Sequence, residues 1–96
     1  MPKVLIYMVK KTMWVYLFYN TDVYENRAHV HVGKKGAQEL CKIWLEPEVV
    51  VDKKGEFSDA QLNEIVSLAQ VNRTRLMKQW GLFKAGKIVK PIKITK

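Results

Sequence analysis

The chain has one cysteine, three prolines and no acidic residue after Glu64. A lone thiol, Cys41, closes no internal disulfide and offers no Cys pair for a structural zinc, which points to a reducing, cytoplasmic setting. No stretch approaches the roughly 20 apolar residues that a membrane-spanning helix needs. The opening Met1-Pro2-Lys3-Val4-Leu5-Ile6-Tyr7 lacks a signal-peptide layout, since its apolar run is short and ends at Lys10 and Lys11. On this reading a membrane partner is excluded. There is no Gly-rich phosphate loop and no Ser–His–Asp set, so the residues assign no cofactor, no metal and no catalytic group, and the question of an enzyme stays open.

The missing acids matter most. From Arg73 onward lie eight basic residues (Arg73, Arg75, Lys78, Lys84, Lys87, Lys90, Lys93 and Lys96), whereas residues 1–72 hold nine basic and nine acidic ones. A neutral body therefore carries the whole formal charge of +8 at its end. Such an end attracts polyanions, either nucleic acid or an acidic protein.

Ninety-six residues with 48% hydrophobic and 27% charged content suit one modest core. The first half reads as strands. Val4–Val9 and Trp14–Tyr19 are rich in β-branched and aromatic residues, with Lys10-Lys11-Thr12 as a short connection. Asn20-Thr21-Asp22 closes the second strand. His29-Val30-His31-Val32 alternates strictly and ends at the turn Gly33-Lys34-Lys35-Gly36. Leu40–Leu45 is a fourth strand, interrupted by Glu46-Pro47, and Val49–Val51 is a fifth.

A helix follows. Ser58 is a natural N-cap with Gln61 three residues on, a capping-box pattern. Leu62, Ile65, Val66, Ala69, Leu76, Met77 and Trp80 fall on one stripe, and Gly81 is the expected stop. Lys87–Ile94 can add an edge strand, where Pro91 is tolerated. The expectation is an α+β fold: an antiparallel sheet of four to six strands with one long C-terminal helix packed on one face. Residues 1–81 form the domain, and 82–96 a basic tail or extra edge strand.

Strand parity places Val30, Val32, Ile43 and Leu45 under the helix. The opposite parity gathers His29, His31, Lys42, Trp44 and Glu46. Two histidines at i and i+2 on a strand stand roughly 7 Å apart at ~3.3 Å rise per residue. With Glu46 they make a candidate polar site, read either as a two-His metal contribution or as plain strand histidines. Arg73 falls at the centre of the helix stripe, where a charge must be paired. Glu46 and Glu48 are its expected partners in a structural clamp. The candidate partner-contact set is Trp14, Tyr16 and Trp44, able to stack on bases if exposed, with Arg75, Lys78, Lys84, Lys87, Lys90 and Lys93.

Arg27-Ala28-His29-Val30-His31-Val32, Lys42-Ile43-Trp44-Leu45-Glu46-Pro47, and Phe57-Ser58 opening a helix with Asn72-Arg73 and Trp80 late in it occur in one order over roughly residues 1–80. In this they resemble the small bacterial proteins of the domain of unknown function 4160 family. Where that family typically carries a proline run before the first histidine, this chain has Glu25-Asn26-Arg27-Ala28. Members resemble parts of two-gene modules of the toxin–antitoxin kind, which implies a protein or nucleic-acid partner. The leading expectation is a non-enzymatic binding module. Its alternatives are a metal-dependent or general-acid/base hydrolase built on the His-x-His strand, and a homodimer that buries the aromatic face.

Overall fold

Lys3–Val9 (β1) and Thr12–Leu17 (β2) pair antiparallel. His29–Lys34 (β3), Cys41–Trp44 (β4) and Val50–Lys53 (β5) continue the antiparallel succession. Ile92–Thr95 (β6) adds to the far edge beside β1, so the six-stranded order is β5-β4-β3-β2-β1-β6. The computed structural model describes residues 3–9, 12–34 and 40–95. The connecting lysines Lys10 and Lys11, the turn pair Lys35-Gly36 and the terminal Lys96 lie outside those residues.

Two expectations about the sheet and helix need correction. β6 runs parallel to β1, so the sheet is antiparallel through five strands and mixed at its sixth. The long helix is two: Asp59–Val71 (α1) and Arg73–Lys84 (α2). The break has a local cause. The Asn72 carboxamide donates to the Leu68 carbonyl at 2.9 Å, alongside the Asn72 backbone N–H at 3.1 Å. Asn72 relaxes to φ −103°, ψ 14°. A short polar side chain that bonds its own helix backbone competes with the helical ladder in this way.

The start of α1 follows its sequence signature. Ser58 Oγ accepts from the Gln61 N–H at 3.2 Å, and the Gln61 side chain accepts from the Ser58 N–H at 2.9 Å. The end of α2 does not. Gly81 lies inside the helix, which closes three residues later at Lys84. Gly86, at φ +73°, makes the stop. Its N–H donates to Phe83 and the next N–H, from Lys87, to Leu82, which is a Schellman closure. The tail boundary expected at residue 81 thus falls within α2.

Directly opposed strand residues share a face, which sorts the core. Tyr16 opposes Val32, Val32 opposes Cys41, and Val30 opposes Ile43. All five are fully buried. Tyr16 donates its hydroxyl to the Ile65 carbonyl at 2.8 Å and Trp14 donates Nε1 to Glu64 at 3.1 Å, so this face lies under α1. The parity argument holds there. Helix α1 touches β5 and α2 touches β1, so the helical pair crosses the sheet from one edge toward the other. Among the described residues, no helix is long and apolar enough to cross a membrane.

Candidate functional site

The second face carries Leu17, His31 and Lys42 across one row and His29 with Trp44 across another. Its cover comes from the same chain. After β2 the residues Asn20–Tyr24 form a 3-10 helix. Asp22 builds this turn twice over: its N–H donates to the Tyr19 carbonyl at 2.9 Å, and its Oδ2 accepts the Tyr19 N–H at 2.7 Å. Lys84, in the last turn of α2, donates its ammonium to the carbonyls of Val23 (2.5 Å) and Glu25 (2.7 Å). The turn is thereby tied to the helix end, and the Asp22 side chain is directed onto β3.

Asp22 Oδ1 lies 3.1 Å from His29 Nε2, and Asp22 Oδ2 lies 3.1 Å from His31 Nε2. All three residues are buried. Neither contact is aligned as a ring N–H···O hydrogen bond, and both Nε2 atoms are without a hydrogen-bond partner. The other nitrogen of His29, Nδ1, sits 3.0 Å from the Arg27 carbonyl. Since a carbonyl only accepts, Nδ1 carries the proton there, and in the neutral ring Nε2 holds the lone pair. Burial lowers the His31 pKa, with the neighbouring Asp22 carboxylate opposing that shift and His29 adding to it. Aromatic rings enclose the centre: Tyr19 stacks on His31 at 3.9 Å, while Trp44 and Trp80 lie 5.5 and 5.1 Å from His29.

Of the polar trio expected from sequence, His29 and His31 meet on this face, but Glu46 is not in the cluster; Asp22 supplies the carboxylate. Glu46 offers its backbone carbonyl to Arg27 Nε at 2.8 Å. The Arg73 clamp is different from that expected. Arg73 Nε donates to the Leu45 carbonyl at 2.7 Å, and among the described residues neither Glu46 nor Glu48 pairs with it. Trp14 and Tyr16 are 1% and 0% exposed, which removes both as base-stacking platforms. Trp44 is half-buried, with the Arg27 guanidinium and the Lys42 ammonium 4.2 and 4.3 Å from its ring centre.

The basic residues divide as well. Lys84 is tied to the turn. Arg75, Lys78, Lys87, Lys90 and Lys93 are exposed. Arg75 and Lys78 on α2, with Lys90 before β6, rim a groove of about 420 Å³ floored by Leu82, Ile88 and Ile92. Gln79 Nε2 donates to the Lys90 carbonyl at 2.6 Å and holds the strand segment against the helix.

Reading the sequence alone misses Asp22 and Tyr19, and it takes Lys84 for a partner contact where the structure makes it a strap. A carboxylate in a polar turn between two strands, shortly before a His-x-His strand, is the one signal available for Asp22. Nothing local marks Lys84, because its acceptors lie about sixty residues earlier in the chain.

This arrangement falls within a described family. Residues 13–81 match the family defined as Domain of unknown function (DUF4160), and the chain belongs to it. The match spans β2 through the Trp80 turn of α2, and so includes Asp22, His29 and His31 but not the Lys84 strap or β6. No curated protein and no solved structure matches the chain.

Proposed function

We propose that the protein is a non-enzymatic nucleic-acid-binding module whose contact surface is the groove between α2 and the segment leading into β6. The observation that carries this reading is the gathering of Arg75, Lys78 and Lys90 around an apolar floor, with Lys87 and Lys93 exposed nearby. No carboxylate occurs in the chain after Glu64 to oppose them. Cationic rims receive phosphates, and an apolar floor with Ile88 exposed at 85% receives sugar or base surface. A linear polyanion lying along the groove meets the three rim cations Arg75, Lys78 and Lys90.

Filter binding of a single-stranded oligonucleotide over a salt series tests the reading. Three phosphate contacts predict a slope of about −2 in log affinity against log salt, at roughly 0.7 per contact. The triple variant Arg75→Ala, Lys78→Ala, Lys90→Ala is expected to flatten that slope by about 2. An unchanged slope in the variant removes the groove from the contact. Equal binding of a polyglutamate of matched charge would transfer the surface to an acidic protein partner.

A further inference from the structure

A buried polar atom without a partner costs free energy, and two side by side in one small centre call for a cause. His29 Nε2 and His31 Nε2 are such a pair, and the Asp22 carboxylate between them brings a charge into the same enclosure. With Nδ1 of His29 directed at the Arg27 carbonyl, its neutral ring leaves a lone pair on Nε2 beside a carboxylate oxygen 3.1 Å away that bears lone pairs of its own. Nothing about that approach is favourable until a positive centre lies between them. It is either a shared proton or a metal ion.

The geometry separates the two. A shared proton draws the oxygen onto the ring N–H axis, whereas here both oxygens lie off that axis. Donors bound to one tetrahedral ion at about 2.0–2.2 Å stand roughly 3.3–3.6 Å apart, each oblique to its neighbour's axis. The two observed separations are 3.1 Å, and all three donor atoms lie within 4.8 Å of one another. The Arg27 carbonyl holds the His29 ring through its far nitrogen, the outer contact that fixes a ligating histidine. We infer that Asp22, His29 and His31 form a mononuclear site for a divalent transition-metal ion of the zinc class. Two imidazoles and one carboxylate suit such an ion and not magnesium or calcium, which take oxygen donors. Three protein donors leave a coordination position for water or an outside ligand.

The site is independent of the basic groove, and its test uses the metal alone. Calorimetric titration of zinc chloride into the untagged, metal-stripped full chain is expected to show one ion per chain. In NMR spectra, both imidazoles shift at one equivalent. His29→Ala, His31→Ala and Asp22→Asn each reduce zinc affinity by more than the roughly 10–100-fold that loss of an outer contact costs. Glu46→Gln and the triple groove variant bind zinc as the parent does. Asp22→Asn keeps an oxygen for the Tyr19 N–H, so this variant remains informative if a histidine variant misfolds. Three results overturn the inference. One is no heat and no imidazole shift with zinc in excess. Another is binding that survives Asp22→Asn and both histidine variants. The last is nitrogen spectra with both nitrogens of one ring protonated while zinc is in excess, which assigns the centre to a proton. Magnesium binding as tightly as zinc would overturn the class of ion.

Discussion

The two faces of the sheet treat their buried polar groups in opposite ways. Under α1, the Tyr16 hydroxyl and the Trp14 indole each reach across to the helix and find an acceptor. Across the sheet, His29 and His31 are just as enclosed, yet their Nε2 atoms meet a carboxylate out of alignment. The first face is finished as a core. The second has the enclosure of a core and the donor set of a binding site, and it reaches that state through a turn, a lysine strap and the Trp80 ring of α2. The difference teaches that burial alone does not separate structure from function here; the alignment of the polar contacts does.

Trp80 joins the two faces, since its ring lies 5.3 Å from Phe18 and 5.1 Å from His29. Trp80→Ala is therefore expected to have the largest effect, destabilising the fold by about 3–5 kcal/mol in urea unfolding. A loss near 1 kcal/mol would show that the faces are held independently. Lys84→Met comes next. It removes a charged donor from two carbonyls, and the expected cost is about 1–2 kcal/mol, in the lower part of the range for such bonds because the ammonium is half-exposed. Amide exchange at Asp22 should speed up in this variant and stay unchanged in Lys87→Met, whose side chain is exposed.

The contrast between the faces is read most directly from a pair of substitutions. Tyr16→Phe deletes an aligned, buried hydrogen bond and is expected to cost about 0.5–1.5 kcal/mol. His31→Leu, measured in chelator, removes a ring nitrogen that has no aligned partner, and so is expected to cost less than Tyr16→Phe. With zinc present the order reverses, because an ion bound only by the folded parent adds to its stability. If His31→Leu costs more than Tyr16→Phe in chelator, the histidine is already well paired and the two faces are alike.

What the chain made legible were the features governed by near neighbours. Period-two alternation placed Val30, Val32 and Ile43 on the helix face, and the Ser58–Gln61 pair announced the start of α1. The break at Asn72 was not legible, because the apolar stripe continues through it and only the side-chain bond to Leu68 diverts the backbone. Gly81 and Gly86 are equivalent as letters; which one ends α2 depends on where the chain must turn back toward β1. For the site, His29 and His31 stood out by spacing, whereas Asp22 was chosen over Glu46 by a turn that folds onto β3. The partition of the basic residues was half legible. The place of Arg73 on the apolar stripe marked it as structural, though not its acceptor, the Leu45 carbonyl. Lys84 is consumed by carbonyls distant in sequence and bears no local mark.

Cys41 offers the smallest test of the same comparison, on the finished face. It opposes Val32, is fully buried, and its thiol pKa is pushed up from 9.0 to about 11 by burial, against backbone hydrogen bonds that pull it down. Because the thiolate is the reactive form, labelling by a disulfide reagent at pH 8 should be slow and should follow opening of the core. The raised value also fixes a sign. The folded state prefers the neutral thiol, so this contribution to stability is complete below about pH 9 and is lost as pH rises toward about 11. Urea unfolding at pH 7 and at high pH should therefore show a larger alkaline loss for the parent than for Cys41→Ala. Fast labelling at pH 8, or equal alkaline losses, would mean that the α1 face opens locally and is less finished than its hydrogen bonds imply.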